Sequence, residues 1–380
     1  MQIVVTGIGL ASALGTTLER SWGHLLQGES GILCQQPFSD FLVRPLGLVG
    51  DAPSSLQSLL LPTTHAALQD AHLCKLIPDT GVVIGSSRGF QPQWESAIKA
   101  HHQGETVEAN LWHLYSDSPA SLVAQNLDIS GPILSPRAAC ATGLWAIAQA
   151  TDLIRTGHCA SVIAGAVEAP ITPMTLAGFA KMGAIAATGA YPFDRDREGL
   201  VLGEGAAIFV LEERSHAQQR GAKIYGEILG FGGTADGHHR SAPDQDQRVA
   251  IAAIQQSLQR SGLTPNDINY IHAHGTATQL NDQAEAALIQ HLFPASVAVS
   301  STKGATGHTL GASGALGVAF SLMALQSQVA PPCVGLHNSA FDLNLLREAT
   351  PMNLRYILCL SFGFGGQNTV LAIARDCAAL

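Results

Sequence analysis

Four short stretches hold the side chains whose types and spacing could carry chemistry. The first, RAACATG at 137–143, sets Cys140 among small residues where a strand should turn into a helix. Alone, such a cysteine reads either as apolar filler, common for free buried cysteines, or as a nucleophile. The apolar positions 144, 147, 148, 150, 153 and 154 describe a buried helix that Cys140 heads. A thiol at a helix N-terminus is expected to have its pKa lowered by unpaired N–H groups and the macrodipole. The neighbouring alanines leave room for an acyl thioester.

The second stretch, HAHGTATQLND at 272–282, supplies His272 and His274 with Thr276, Thr278 and Asp282 close by. Strand alternation predicts that the two histidines share a face, and Gly275 ends the strand. No carboxylate or thiol at ligand spacing completes a metal site, so no metal is expected and His274, at the strand end, is the catalytic candidate. The third, SSTKGATGHTLGASG at 300–314, places Lys303 five residues before His308. A lysine amid uncharged residues reads either as a surface turn residue or, if buried, as one that is paired or useful, with Glu285 and Asp282 the candidate acids. In the fourth, SFGFGGQN at 361–368, glycines around Phe364 would let backbone N–H groups approach a ligand as an oxyanion hole, or simply make a tight turn.

The elements that must position these residues alternate along the chain. Short apolar, β-rich runs such as IVVTGIG, GVVIGSS and ASVIAGAVE are separated by helical runs, which predicts an α/β fold with buried strands. GVVIGSS matches INYIHAHGT, and SPRAACATGLWAIAQA matches SSTKGATGHTLGASGALGVA, a weak internal repeat that would bring Cys140 and His308 into one pocket. The boundary is placed near Gly221, giving an N-terminal half at 1–220 with the cysteine and a C-terminal half at 221–380 with the histidines and lysine.

Composition narrows the classes. The 380 residues are 46% apolar and 13% charged, enough for a large core, and a net charge of -9 with 20 dispersed basic residues disfavours nucleic acid. Seven cysteines without CxxC spacing indicate free thiols. MQIVVTGIGL opens directly as a strand with no secretory pattern, so a cytoplasmic protein is expected. The apolar run GASGALGVAFSLMAL is flanked by His308, Gln326, Gln328 and the prolines 331 and 332, which predicts a buried helix and no membrane span.

In this order, the motifs IVVTGIGLASALGTTLERSWGHLLQGESGI, CATG, YPFDRDREGLVLGEGAA, HAHGTATQLND, STKGATGHTLGASGA and SFGFGGQN resemble the β-ketoacyl-acyl-carrier-protein synthases of the thiolase superfamily, over nearly the whole length. The nearest type is the elongating Cys-His-His ketosynthase of type II fatty acid and polyketide systems. The resemblance implies a thiolase-like fold of two pseudo-duplicated halves in five αβαβα layers. It implies that Cys140 takes the acyl chain as a thioester and that His274 and His308 assist decarboxylation of malonyl-acyl-carrier protein. Lys303 would tune the pocket with Glu285 as its partner, and Asp282 and Thr276 would support it. The N–H groups of Cys140 and Phe364 would form the oxyanion hole, with Phe364 as a gate. No cofactor is implied; the partners are acyl carrier protein, malonyl and acyl thioesters, and a second ketosynthase-like subunit in a homodimer or heterodimer.

Three departures point to a specialised synthase, possible products including a polyene. Gln279 stands where the common fatty acid enzymes have proline, the stretch from Phe38 to His72 is short and lacks a basic helical segment, and Ala138 and Ala139 precede the cysteine. Two rivals are kept: a thiolase, for which Cys359 would be the second cysteine, and a catalytically silent chain-length-factor-like subunit. Trp112, Trp145, Met174 and Phe179 are loose candidates for the acyl tunnel.

Overall fold

The computed structural model describes residues 1–73, 79–105, 118–244 and 246–376; Trp112 lies outside the described residues. Eleven strands make the main sheet: β1 (Ile3–Ala11), β2 (Gly81–Gly85), β3 (Ile133–Leu134), β4 (Ser161–Glu168), β5 (Gly205–Glu213), β6 (Gly226–Ala235), β7 (Tyr270–His272), β8 (Ala298–Ser300), β9 (Asn344–Leu345), β10 (Tyr356–Gly363) and β11 (Gln367–Ala374). Their order is β9-β8-β7-β10-β11-β6-β1-β5-β4-β2-β3.

One pairing pattern occurs twice. β2 lies parallel to β3 and β4, β4 antiparallel to β5, and β5 antiparallel to β1. Likewise β7 lies parallel to β8 and β10, β10 antiparallel to β11, and β11 antiparallel to β6. The repeat in the sequence maps onto this pattern, GVVIGSS being β2 with its loop and INYIHAHGT containing the equivalent β7. The two copies meet where β1 and β6 pair over Ile3–Ile228, Val4–Glu227 and Val5–Gly226.

The helices that bear on the core and the site are α1 (Leu18–Leu26), α2 (Leu56–Asp70), α3 (Gln91–His102), α4 (Pro119–Leu127), α5 (Thr142–Arg155), α6 (Pro173–Lys181), α7 (Arg248–Ser261), α8 (Gln279–Leu292), α9 (Lys303–Thr306) and α10 (Ser313–Ser327), with a further short helix at Arg214–Gln219. Because strand side chains alternate, each half-sheet buries two faces. Ile208 and Val210 of β5 pack outward with Leu59 and Leu60 of α2 and Val123 of α4. Leu358 and Val370 pack outward with Ile254 of α7 and Ile289 of α8. The intervening residues, Phe209 and Leu211 in one half and Ile357 and Leu371 in the other, face a shared core with Ile147 of α5 and Phe320 of α10. The result is the five-layer αβαβα order.

Close packing between layers depends on missing side chains. A Cβ on Gly9 of β1 would stand 1.9 Å from the Thr63 carbonyl oxygen of α2. The segment Leu310–Ser327, the one described stretch apolar and long enough to cross a membrane, is 83% buried inside the fold. It serves as a central core helix, apolar all round because protein surrounds it.

Candidate active site

Cys140 sits on a tight turn ahead of α5. Ala139 adopts φ 48°, a left-handed backbone that a methyl side chain enters at a cost of about 1–2 kcal/mol. The N–H groups of Ala141 and Thr142 close the turn on the carbonyls of Ala138 and Ala139 at 3.0 and 3.2 Å. Thr142 Oγ1 accepts from Ala138 N–H at 2.9 Å and donates to the Ala139 carbonyl at 2.6 Å, while Ser361 Oγ donates to the Cys140 carbonyl at 2.9 Å. Thus clamped, Cys140 faces a cavity of about 320 Å³ lined also by His274, His308, Thr276, Phe179 and Phe362 to Gly366.

β7 ends at His272, so the strand alternation stops there, and this corrects the expectation that the two histidines share a face. His272 turns to Thr302 Oγ1 at 3.1 Å, packed where a side chain on Gly317 of α10 would collide with it. His274 instead enters the cavity. Its ring lies 5.4 Å from that of His308 at 82°, and Cys140 Sγ and one ring nitrogen from each histidine lie within 4.8 Å of one another. His308 is fixed by its N–H to the Val201 carbonyl at 2.6 Å and by Nδ1 against Ser313 Oγ at 2.8 Å. Those three side chains are also the one described cluster of this kind that could chelate a cation.

Lys303 Nζ donates to the His274 carbonyl and lies 3.5 Å from His274 Nδ1. An ammonium has no acceptor, so Nδ1 of the neutral ring accepts and Nε2 carries the proton, a donor aimed at the cavity. Burial, reinforced by the Lys303 charge, holds both His274 and His308 well below the usual imidazole range, so both rings are neutral at pH 7.

The thiol behaves otherwise than its place at a helix end suggests. Burial pushes Cys140 up to about 11, outweighing the Lys303 charge and the Phe364 N–H directed at the sulfur. The expected lowering is therefore overturned: desolvation of a thiolate costs more here than the helix end returns. Glu285 is also reassigned. Among the described residues no ion pair joins it to Lys303; its two oxygens accept the N–H groups of His274 and Gly275 at 2.6 and 2.7 Å, fixing the backbone of the loop that carries His274. Burial raises its pKa, and burial lowers that of Lys303 with Glu285 opposing. Asp282 does similar work, accepting from Phe193 N–H at 2.8 Å and Thr276 N–H at 3.0 Å, and burial raises it to about 6.

Phe364 stands at the mouth, 37% exposed, with its ring stacked on Phe179. Of the described tunnel candidates only Phe179 lines the cavity; Met174 is exposed, and Trp145 packs on Gly233. Cys359 lies within β10, giving its thiol hydrogen to Ser321 Oγ at 3.4 Å, away from the cavity. Gln279 opens α8 and donates to the Arg197 carbonyl.

One structural residue escaped the sequence reading. Glu168, fully buried, accepts from Ser86 Oγ, Ser87 N and Oγ, Arg88 N and Gly311 N, tying β4 to the β2 loop and to the turn after His308. The only local signal was an acid at the end of an apolar strand.

Known proteins resemble this chain in sequence and fold. Residues 51–217 match the model of the beta-ketoacyl synthase N-terminal domain and residues 225–337 that of its C-terminal domain. The chain is 32% identical to the 3-oxoacyl-[acyl-carrier-protein] synthase 2 of Vibrio harveyi, over 98% of each chain. Among solved structures it is similar to a type II polyketide synthase complex of acyl-carrier protein with its ketosynthase bound to the hexaketide, at 26% identity, 99% of each chain and a TM-score of 0.92. The ishigamide ketosynthase/chain length factor matches at 26% identity, 99% of each chain and a TM-score of 0.91. By fold, full-length similarity and both domain models, the chain belongs to the β-ketoacyl synthase family.

Proposed function

We propose that Cys140, His274 and His308 carry out a decarboxylative condensation in a type II fatty acid or polyketide system. The observation that carries the reading is the convergence of one thiol and two neutral imidazoles within 4.8 Å at the floor of an open cavity. Cys140 gives up its proton to an adjacent neutral imidazole as it attacks an acyl thioester; the acyl group moves to sulfur, and the imidazole returns the proton to the carrier thiolate, which leaves as the thiol. The N–H groups of Cys140 and Phe364 receive the charge on the tetrahedral oxygen.

Malonyl-acyl-carrier protein follows. Cleavage of its carboxylate bond releases carbon dioxide and leaves the electron pair as an enolate, whose oxygen accepts from His274 Nε2–H and from His308. The enolate carbon attacks the Cys140 thioester, a C–C bond forms as the C–S bond breaks, and the product is a 3-oxoacyl thioester. No redox step or cofactor is required. Lys303 and Glu285 hold His274 in place, by its tautomer and its backbone respectively, while Asp282 and Thr276 shape the same loop. Phe364 moves as the gate between the two substrates. The halves at 1–220 and 221–380 each supply part of the site, and the working unit is a dimer with a copy of itself or a related subunit.

Intact mass after mixing with acyl-carrier thioesters tests this. The native chain gains one acyl group, Cys140→Ala gains none, and malonyl-carrier protein discharges the adduct with release of carbon dioxide. Unchanged condensation by Cys140→Ala, alone or with a partner subunit, places the chemistry elsewhere and favours the silent-subunit reading. Discharge by an acetyl but not a malonyl thioester favours a thiolase.

A further inference from the structure

Behind Phe179, outside the lining of the cavity, the packing turns polar. The rings of Phe179 and Phe364 stack with centroids 6.1 Å apart, and the Arg88 guanidinium carbon lies 5.7 Å from the Phe179 centroid. Thr175 stands one turn before Phe179 on α6 and so shares its buried face. Gln91, at the start of α3, donates from Nε2 to Thr172 and Thr175 Oγ1 at 3.1 and 3.0 Å and to Glu95 at 2.7 Å. Its Oε1 accepts from Arg88 Nη1 at 3.3 Å. Glu95 is thus separated from the guanidinium by the Gln91 amide. Among the described residues no carboxylate lies within ion-pair distance of Arg88, and its Nε and Nη2 make no hydrogen bond.

An acyl end that passes Phe179 reaches these groups, and they suit a plain alkyl chain badly. An alkyl group would strip water from half-buried N–H donors and return no acceptor to them. A guanidinium presents paired, coplanar donors that match the oxygens of a carboxylate or a keto group. The Arg88 backbone is held rigidly by Glu168, so the side chain springs from a fixed base.

We propose that Arg88 is a specificity determinant that reads an acceptor oxygen, carboxylate or keto, carried by the acyl group on Cys140. The inference rests on Cys140 being the acyl-bearing nucleophile. Phe179, between the catalytic cavity and Arg88 in the chain of contacts, is the side chain that must yield for the acyl end to arrive.

Matched thioesters of a carrier protein decide it, with the rate of adduct formation on Cys140 followed by intact mass: glutaryl against pentanoyl, and 3-oxobutyryl against butyryl. At least one oxygen-bearing chain is expected to load with kcat/KM about tenfold or more above its alkyl match. Arg88→Leu reverses that order while still loading alkyl chains. Arg88→Lys, should the leucine variant fail to fold, keeps the cation without the planar fork and loses most of the preference. A glutaryl preference alone identifies a carboxylate, and a 3-oxobutyryl preference alone a keto chain. Equal loading within each pair, or a preference that both variants retain, overturns the inference and leaves the proposed reaction standing. No adduct from any thioester overturns the proposed reaction and the inference with it.

Discussion

A buried thiol whose pKa is about 11 is protonated at neutral pH, and its reactivity toward a simple electrophile follows its thiolate fraction. Alkylation of Cys140 by iodoacetamide is therefore expected to accelerate about tenfold per pH unit between roughly pH 6 and 9, with no plateau, in peptide mass kinetics. A plateau below pH 8 would show that the thiolate is already stabilised. In the proposed reaction an imidazole within 4.8 Å takes the proton, which lifts this limit for the acyl donor. Lys303 acts at the same scale through His274. Lys303→Met removes the donor that sets the ring's tautomer, so carbon dioxide release from malonyl-carrier protein should fall about 10²–10³-fold, the usual loss for a misdirected oxyanion donor. Cys140 acylation, which does not draw on Nε2–H of His274, should change only severalfold. Equal losses in both half-reactions would make Lys303 structural.

At the scale of elements, the site is a product of two helices meeting closely. α5 follows Cys140 and α10 follows His308, and a Cβ on Gly143 would stand 2.6 Å from Ala315 N and 3.1 Å from the Gly311 carbonyl. Gly143→Val forces the helices apart; it should lower unfolding free energy by about 1–3 kcal/mol in urea titration and slow Cys140 acylation. The alternation of buried strands and helices was legible in the sequence because strands covered on both faces read as continuous apolar runs. That Cys140, His274 and His308 meet in one cavity with Lys303 beside His274 could be anticipated from the motifs, because polar residues end apolar runs where a strand stops. What stayed hidden depended on distant partners. Nothing near Glu285 says that backbone N–H groups occupy it, nothing near Cys140 says how dry its surroundings are, and the strand alternation misled at His272 because β7 stops there.

The whole molecule presents one sheet edge with apolar side chains. β3 ends the sheet, and Ile133 and Leu134 are 42% and 39% exposed. Among the described residues no strand pairs with the outer side of β3, and an apolar edge of that kind invites pairing with another chain. The protein is accordingly expected to sediment as a dimer when alone or with its sister subunit, and Ile133→Lys with Leu134→Glu should shift it to monomer. A monomeric native chain that binds no sister subunit would count against this.

The seam between β1 and β6 also sets the order in which the molecule can be made. Every residue of β1 is buried, and both of its neighbours, β5 from Gly205 and β6 from Gly226, are encoded far downstream. At ordinary synthesis rates the apolar strand Ile3–Ala11 waits roughly 10–40 s for its first partner, about two hundred residues on. During that time Ile3–Ala11 is an unpaired template, so release of the nascent chain before Glu213 should yield aggregate, while a chain carried past Ala235 can close. The joint that makes one sheet of two halves thus leaves Ile3–Ala11 in need of a chaperone until its partners are made.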